Sequence, residues 1–320
     1  MSGTEDLRVV AFGGGTGLPV LLSGLKDRIS DLTAVVTVAD DGGSSGRLRQ
    51  ELGVAPPGDV RNCLVALAGR ERLAEVFNYR FGAQGDLKDH SVGNIIIAAL
   101  ADMAGGFCEG VEQAGSFLRI EGRVFPAATE SLTLVVRHSD DSVSRGETVA
   151  REVGRGVSSV SVEPAGVLAP PGVISAVERA DMVVLSAGSL FTSTIPALLG
   201  LGVPEALAAF SGPVLYVANV MTQPGETDGF MLSDHLRAIT DHVGPVLTDV
   251  LVHGGKLSED LVVRYAEEGA SPVHLDREAA EGLGVKLRES LILAEDAGGE
   301  VRHDPDRLAE EVCEAGLVRL

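Results

Sequence analysis

Val9-Val10-Ala11-Phe12-Gly13-Gly14-Gly15-Thr16-Gly17-Leu18 is the stretch on which the predicted fold depends. An apolar, β-prone run ends in a glycine-rich turn, and leucines at helical spacing follow up to Leu25. Such a turn binds phosphate well, because glycine lets the N–H groups at a helix start approach an anion. The spacing fits neither the dinucleotide fingerprint, whose third glycine would fall at Leu18, nor the Walker A motif. The stretch therefore predicts an anion-binding turn, with a purely structural turn as the alternative.

The composition indicates a globular protein with an aliphatic core. The chain has 320 residues, of which 45% are hydrophobic and 4% aromatic, and it contains no tryptophan. Glycine occurs 40 times, a share well above the usual ~7%, which fits many tight turns. The net charge of −20 argues against nucleic acid or an anionic membrane as a partner, because both require a basic surface.

The cysteines and the apolar runs restrict the class of protein further. Cys63, Cys108 and Cys313 are odd in number and far apart, which argues against a disulfide framework or a cysteine zinc site. Residues 1–6 lack the pattern of a signal peptide. No apolar run reaches the ~18 residues that a membrane span needs. We therefore expect a cytoplasmic protein without a membrane span.

Polar loops follow the next predicted elements. The apolar strand 32–38 ends in Asp40-Asp41-Gly42-Gly43-Ser44-Ser45, where nucleotide-binding folds place a ribose-binding acid. Asp59-Val60-Arg61-Asn62 precedes one helix, and His90-Ser91-Val92-Gly93-Asn94 opens another. All three groups could face a ligand. Helix caps and surface ion pairs are the structural alternatives.

A second glycine turn supports binding of a diphosphate. The predicted strand 181–185 runs into Ser186-Ala187-Gly188-Ser189 and then toward a predicted helix. Two such turns in one parallel sheet suggest a diphosphate held across its carboxyl edge. The strand 214–218 is followed by a polar loop with Asn219 and Gln223, whose amides could recognise a base or sugar. Arg302 and His303, before the last helix, are basic candidates for an anionic ligand or, alternatively, for surface pairing.

The order of elements predicts a single α/β domain over 1–320. Strands and helices alternate, which indicates a Rossmann-like, mostly parallel sheet with helices on both faces. The segment 107–162 reads as a small β-rich insertion, with a hairpin formed by 132–136 and the residues around Val143. Residues 273–275 are predicted as the last strand.

The loops together resemble a known family. The order GGGTGL, VADDGGSSGRLR, PPGDVRNCLVALA, HSVGN, GSLFTS, NVMTQPGETDGF and VRHDP closely resembles the gluconeogenesis-factor family. Its members bind UDP-N-acetylglucosamine and are distant relatives of 2-phospho-L-lactate transferase (CofD-like). The similarity runs from about Arg8 to the C-terminal helix. It implies a Rossmann-like fold, a cytoplasmic role in peptidoglycan precursor supply and cell shape on gluconeogenic carbon sources, and a nucleotide site along the sheet edge.

Ligand-binding positions follow from this resemblance, and two loops depart from the family pattern. Ser186-Ala187-Gly188 stands where Gly-Pro-Gly is usual, and Asp89 replaces a usual glycine before His90. The implied ligand-binding residues are Gly14, Gly15, Thr16, Gly17, Asp40, Asp41, Ser44, Ser45, Asp59, Arg61, Asn62, His90, Asn94, Gly188, Ser189, Leu190, Phe191, Thr192, Ser193, Asn219, Gln223 and Arg302.

Two functions of different class remain open. The first is a non-catalytic regulator that binds UDP-N-acetylglucosamine and acts through a protein partner in amino-sugar or cell-wall synthesis. The second is a phosphoryl or glycosyl transferase, with Mg²⁺ on Asp40, Asp41 or Asp59 and His90 as general acid or base. NAD(P) is an alternative ligand, although the glycine spacing weakens the case for a dehydrogenase. A homodimer is also left open.

Overall fold

A computed structural model of the protein describes residues 3–82, 85, 87–148, 155–294 and 300–317. A short 3₁₀ turn, Thr4–Asp6, precedes the first strand. The strands are β1 Arg8–Gly13, β2 Asp31–Val36, β3 Arg123–Pro126, β4 Thr133–His138, β5 Val143–Arg145, β6 Val157–Glu163, β7 Met182–Leu185, β8 Val214–Val217, β9 Asp249–His253, β10 Lys286–Ser290, β11 Leu293–Ala294 and β12 Arg302–His303. The α-helices are α1 Gly17–Leu25, α2 Gly43–Leu52, α3 Gly58–Ala66, α4 Glu71–Asn78, α5 Val92–Ala104, α6 Phe107–Leu118, α7 Pro171–Arg179, α8 Val203–Ala209, α9 Leu232–Val243, α10 Glu259–Glu267, α11 Arg277–Glu281 and α12 Pro305–Leu317.

A parallel sheet forms the centre of the molecule. Within the described residues it has seven strands in the order β10-β9-β8-β7-β1-β2-β3. Every residue of β7 and β8 is buried. Since successive side chains of a strand point to opposite faces, both faces of the sheet are covered. The predicted Rossmann-like α/β fold is confirmed.

The order in which successive strands are added to the sheet reverses next to β1. From β1 it continues to β2 and β3 on one side, then returns and adds β7 on the other side. Ala11 pairs with Ala34 of β2 and with Val184 of β7. In open parallel sheets this reversal leaves a crevice at the carboxyl ends of the two strands, which is where ligands bind. The glycine turn after β1 and the turn after β7 both lie there.

A small antiparallel sheet forms the β-rich insertion. β4 pairs with β5 and with β6, so the predicted hairpin is confirmed. The predicted bounds of 107–162 differ from the structure, because residues 107–126 form α6 and β3, and β3 is an edge strand of the main sheet. The sequence did not reveal β3 because the strand has only four residues and no long apolar run.

The prediction of a last strand at 273–275 is wrong. Within the described residues this segment makes a single isolated bridge, between His274 and Met231. The strand beside β9 is β10, Lys286–Ser290. Its polar sequence suits an edge strand that is partly open to solvent, and for that reason it lacks the apolar run that identifies central strands. No helix among the described residues has the length and hydrophobicity for a bilayer crossing.

Candidate functional site

A cavity of about 650 Å³ opens at the carboxyl edge of the sheet, where β1 and β7 meet. We call it the glycine-loop cavity. Its size falls in the range of roughly 300–1,000 Å³ that is typical of small-molecule sites. It is lined by Gly15, Thr16, Gly17, Val20, Asp40, Asp59, Glu147, Ala187, Gly188, Ser189, Ser193, Asn219, Val220, Met221, Thr222, Gln223, Tyr265, Glu300, Val301, Arg302 and His303.

Gly14 and Gly17 of the first glycine loop lie too close to their neighbours for a side chain. A Cβ on Gly17 would lie 1.7 Å from the carbonyl oxygen of Ala187, and one on Gly14 would lie 2.5 Å from Thr37 Cγ2. Gly15 has a φ of +60°, in the left-handed region. Its N–H donates to Asp59 Oδ2 at 2.7 Å. The glycines therefore bring the turn after β1 against the turn after β7, beside the start of α1.

The second glycine loop is held by Asn219. The Asn219 side chain accepts a hydrogen bond from the Gly188 N–H at 3.2 Å and donates one to the Gly188 carbonyl oxygen at 2.6 Å. The predicted α-helix after this loop is instead a five-residue π-helical turn, Leu190–Thr194, followed by a 3₁₀ turn, Pro196–Leu198. The amide that the sequence assigned to ligand recognition thus also fixes the loop backbone.

Two carboxylates and two hydroxyls form a connected group at one wall of the cavity. Ser189 and Glu147 line the cavity, whereas Thr192 and Glu226 are not among its described lining residues. Ser189 Oγ donates to Glu226, which is 1% exposed. Thr192 Oγ1 donates to Ser189 Oγ at 2.6 Å and lies 3.3 Å from Glu147 Oε1. Glu147 follows β5, so the inserted sheet contributes directly to the cavity wall. Sequence reasoning missed Glu147, because its surroundings carry no recognisable motif.

The opposite rim comes from α10 and from the segment before α12. Tyr265 accepts a hydrogen bond from the Val301 N–H at 2.9 Å. Arg302 pairs with Glu300, and both side chains are 62% exposed. Burial and the nearby His253 lower the pKa of His303 to about 4. The rim therefore presents a guanidinium, a carboxylate and a neutral imidazole.

Asp40 and Asp41 face in different directions although they are adjacent. Asp40 lines the cavity and accepts a hydrogen bond from the Gly42 N–H at 2.8 Å. Asp41 Oδ1 accepts from the N–H and hydroxyl of Thr148 at 3.0 and 2.9 Å. Asp41 thus ties the loop after β2 to the inserted sheet.

A second group of predicted residues packs together instead of lining the cavity. We call Ser44, Arg61, Asn62, His90 and Asn94 the His90 network. Ser44 Oγ lies 3.1 Å from His90 Nδ1 and accepts from Asn94 Nδ2 at 3.1 Å. Ser44, His90 and Asn94 are all buried. Burial, together with the charge of Arg47, lowers the pKa of His90, so the imidazole is neutral near pH 7.

Arg61 is the charged member of the His90 network. It is 5% exposed, and its Nη1 donates to Asn94 Oδ1 at 3.4 Å while its Nη2 donates to Asn62. Its buried Nε has no hydrogen-bond partner. Desolvation lowers the pKa of Arg61 to about 10, and the charge of Arg80 acts in the same direction. The guanidinium remains protonated at neutral pH.

The departure at Asp89 has a steric explanation. Asp89 has a φ of +62°, in the left-handed region where glycine is the usual residue and Asp is among the few tolerated alternatives. Its side chain is exposed, and it is not among the described residues that line the cavity.

The residues implied by resemblance thus fall into distinct places. Leu190 and Phe191 are buried in the core, where the Phe191 ring packs edge-on against Phe230. Gly14 and Ser45 pack inside the loops. The members that line the glycine-loop cavity are Gly15, Thr16, Gly17, Asp40, Asp59, Gly188, Ser189, Ser193, Asn219, Gln223 and Arg302.

The acids do not form a cation cage from protein groups alone. In the parts of the chain that the structure describes, no three His, Cys, Asp or Glu side chains gather as a metal site requires. Asp40 accepts from the Gly42 N–H of its own loop, Asp59 accepts from the Gly15 N–H of the first glycine loop, and Asp41 accepts from Thr148. The protein side chains alone therefore do not complete a magnesium site on Asp40, Asp41 and Asp59.

Comparison with known proteins agrees with this architecture. The family described as 2-phospho-L-lactate transferase CofD matches residues 9–293. A protein named gluconeogenesis factor from Halalkalibacterium halodurans is 42% identical over 309 residues, which cover 96% of this chain and 95% of that one. A protein of the same name from Bacillus subtilis is 39% identical over 305 residues and 94% of this chain, or 96% of its own. A crystal structure of a protein from Bacillus halodurans superposes with a TM-score of 0.93 at 41% identity, covering 98% of this chain and 99% of that one.

Proposed function

We propose that this chain, which belongs to the 2-phospho-L-lactate transferase CofD family, binds UDP-N-acetylglucosamine in the glycine-loop cavity and acts as a regulator. One observation carries the proposal: two glycine loops meet at the point where strand order reverses and enclose a cavity of about 650 Å³. Backbone N–H groups at a helix start are suited to a diphosphate. The named relatives support a role in carbon metabolism.

The charges around the cavity favour a hydroxyl-rich ligand. Asp40 and Glu147 line it, and carboxylates accept hydrogen bonds from sugar hydroxyls. Arg302 supplies a cation at the rim, where it would offset part of the diphosphate charge. A nucleotide sugar meets both requirements, since it carries a diphosphate and many hydroxyls.

Regulation is favoured over turnover by the position of His90. It is the acid–base candidate of the transferase hypothesis, but it is buried against Ser44 and is not among the described residues that line the cavity. A general acid or base must come within hydrogen-bond reach of the reacting group. We propose that the protein, with its nucleotide sugar bound, acts in the cytoplasm on a partner in amino-sugar or cell-wall synthesis. In this way it would support the supply of peptidoglycan precursors and cell shape on gluconeogenic carbon sources.

A transferase is the second candidate, because the matching family is described as one. Asp40 and Asp59 line the same cavity, and Mg²⁺ is often held by one or two carboxylates together with substrate phosphates. Under this alternative, the ligand itself would complete the metal site.

Calorimetric titration separates the two functions. The purified protein is titrated with UDP-N-acetylglucosamine, UDP, NAD⁺ and NADPH, with and without Mg²⁺, and each mixture is followed for product. Saturable, metal-independent binding of the sugar nucleotide without product supports the regulator. Metal-dependent binding with release of UDP or a sugar phosphate supports the transferase, and heats at the level of dilution for every nucleotide refute both.

A further inference from the structure

The residues between α4 and α5 form a hairpin next to the His90 network. The Phe81 N–H donates to the carbonyl oxygen of His90 at 3.1 Å, and the Asp89 N–H donates to that of Phe81 at 3.0 Å. The Val92 N–H at the start of α5 donates to the Tyr79 carbonyl oxygen at 2.9 Å. We call the described residues of this segment, 79–82, 85 and 87–91, the Tyr79 hairpin. Since His90 is buried, the hairpin is anchored in the protein, and its exposed side chains rest on a hydrogen-bonded backbone.

Two aromatic rings of the Tyr79 hairpin have no part in the glycine-loop cavity. Tyr79 is 57% exposed, and its ring lies edge-on to that of Phe81, with the centroids 5.5 Å apart. Neither ring is among the described residues that line the cavity. The other two tyrosines of the chain are Tyr216, which is buried, and Tyr265, which lines the cavity. Because tyrosine is enriched among the residues that dominate protein–protein binding energies, the pair of rings indicates a contact surface.

Three cations accompany the two rings. Arg80 Nη1 donates to the Asp89 carbonyl oxygen at 2.9 Å, and Arg47 of α2 donates to the Lys88 carbonyl oxygen. The chain has 46 acidic residues for 26 lysines and arginines, so carboxylate partners are plentiful. Within the described part of the chain, however, Arg47, Arg80 and Lys88 form no ion pair with a carboxylate. Asp89 is the only acid among the described residues of the hairpin, and the surface is therefore locally positive.

A fourth cation lies behind this surface. Arg61 is 5% exposed and belongs to the His90 network. Burial and the charge of Arg80 lower the pKa of Arg61 to about 10, and burial and the charge of Arg47 lower the pKa of His90. The screening length at physiological ionic strength is about 8 Å. A partner in contact with the hairpin therefore experiences these nearby cations more strongly than the net charge of −20 that the whole chain carries.

We propose that the Tyr79 hairpin, together with Arg47, is a docking surface for an acidic protein segment that carries apolar residues. The inference rests on the proposed function, because it assigns the surface through which the regulator meets its partner. Carboxylates of the segment pair with Arg47, Arg80 and Lys88, and arginine binds carboxylates with two parallel hydrogen bonds. An apolar residue of the segment packs against Tyr79 and Phe81. A nucleic acid or an anionic membrane fits less well, because its charge extends beyond this small surface onto a strongly acidic chain.

Fluorescence anisotropy with labelled synthetic peptides tests the docking surface. One peptide repeats Glu-Glu-Leu, and its matched control repeats Gln-Gln-Leu. We expect the wild-type protein to bind the Glu peptide about tenfold more tightly than the Gln peptide at low salt, and added salt should reduce this difference. Lys88→Glu should weaken binding of the Glu peptide about tenfold, because the reversed charge repels carboxylates. Arg137→Glu, the same kind of change at an exposed position of the inserted sheet, should stay within about twofold of the wild type.

Tyr79→Ser tests the apolar contact separately from the charge. Both peptides carry leucine, so this variant should bind each of them about fivefold more weakly than the wild type does. Tyr79→Ser and Lys88→Glu should both bind UDP-N-acetylglucosamine like the wild type, which shows that the variants are folded.

Equal wild-type affinity for the two peptides, or wild-type affinity for the Glu peptide in Lys88→Glu or Tyr79→Ser, would overturn the docking surface. A wild-type dimer in light scattering that Tyr79→Ser dissociates would also overturn it, because a second copy of the chain would then occupy the surface. Wild-type protein that binds UDP-N-acetylglucosamine but not the Glu peptide refutes the docking surface alone. Wild-type protein that binds the Glu peptide but no nucleotide refutes the proposed function and supports the docking surface.

Discussion

The glycine-loop cavity and the His90 network are built from similar residues but differ in what surrounds them. In the cavity, Asn219 holds the Gly188 backbone and borders open space. In the network, Asn94 bonds Ser44 and Arg61 and is 1% exposed. Both asparagines show the same pattern in the sequence, since each is a polar residue at the end of a strand or the start of a helix. The comparison shows that such a cue identifies a polar, hydrogen-bonded position, whereas a neighbouring cavity decides whether a ligand can reach it.

The largest expected effect comes from separating the two glycine loops. Gly17→Ala places a Cβ 1.7 Å from the Ala187 carbonyl oxygen, so the loops must move apart. We expect the free energy of unfolding to fall by about 4 kcal/mol, as measured by urea denaturation. Gly188→Ala is the control, because its Cβ would meet nothing closer than 3.5 Å. Equal stability of the two variants would contradict the close packing of the loops.

The paired asparagines test the comparison itself. Asn219→Leu leaves the Gly188 N–H and carbonyl without their side-chain partner, so we expect affinity for UDP-N-acetylglucosamine to fall about tenfold. Asn94→Leu removes the donor to Ser44 and should lower the free energy of unfolding by about 2 kcal/mol. When only the folded protein is counted, the affinity of Asn94→Leu for UDP-N-acetylglucosamine should stay within about threefold of the wild-type value. Calorimetry and urea denaturation measure both quantities, and a greater loss of affinity in Asn94→Leu would place ligand in the network.

His303 makes the stability of the cavity rim depend on pH. Its pKa in the folded protein is about 4, below the ordinary 6.5, so the unfolded chain binds a proton first as the pH falls. The contribution of His303 is complete above pH 6.5. Between that pH and about 4 the free energy of unfolding decreases, by at most about 1.4 kcal/mol per pH unit.

In His303→Asn, the difference between the free energies of unfolding at about pH 7 and pH 5, measured by urea denaturation, should be smaller than in the wild type. An unchanged slope in His303→Asn would show that the imidazole is solvated in the folded protein.

The smallest effect is expected at the exposed rim. Glu300→Gln removes a carboxylate beside Arg302, in a pair whose side chains are both 62% exposed, so stability should change by less than about 1 kcal/mol. Affinity for the anionic ligand should rise up to about threefold at low salt, and less at high salt. Glu163→Gln is the control, since it removes an exposed carboxylate in the inserted sheet. Equal ligand affinities of the two variants would show that the carboxylate at the rim does not act on the bound ligand.

The sequence predicts best those parts of the fold that are buried on both sides. β1 and β7 are continuous apolar runs followed by glycine, so their strands and turns are readable from residue type alone. β10, Lys286–Ser290, is mostly polar and lies at an edge of the sheet, so its pattern resembles a loop. Val273 carries a strand-like side chain but makes no ladder among the described residues, because the chain there only bridges neighbouring loops.

The candidate site was predictable mainly where its residues belong to the loops of the main sheet, together with Arg302 and His303 before the last helix. Glycine turns can be recognised in the sequence from their residue types, as at Gly15 and Gly188. Glu147 and Tyr265 reach the same cavity from the inserted sheet and from α10, and their approach depends on packing between distant segments. Asp41, which the sequence predicts as a ligand residue beside Asp40, accepts hydrogen bonds from Thr148 and is not among the described residues that line the cavity. Adjacent side chains in a loop can point in different directions, and residue type does not indicate which of them faces a cavity.

The most direct test of the central claim is a crystal structure of the protein soaked with UDP-N-acetylglucosamine. Our account predicts electron density for the diphosphate between the Gly15–Gly17 turn and the Gly188–Ser189 turn, within hydrogen-bond distance of their backbone N–H groups. Diphosphate density against Arg61 and His90, or at the opposite edge of the sheet with the glycine-loop cavity filled by water, would contradict it.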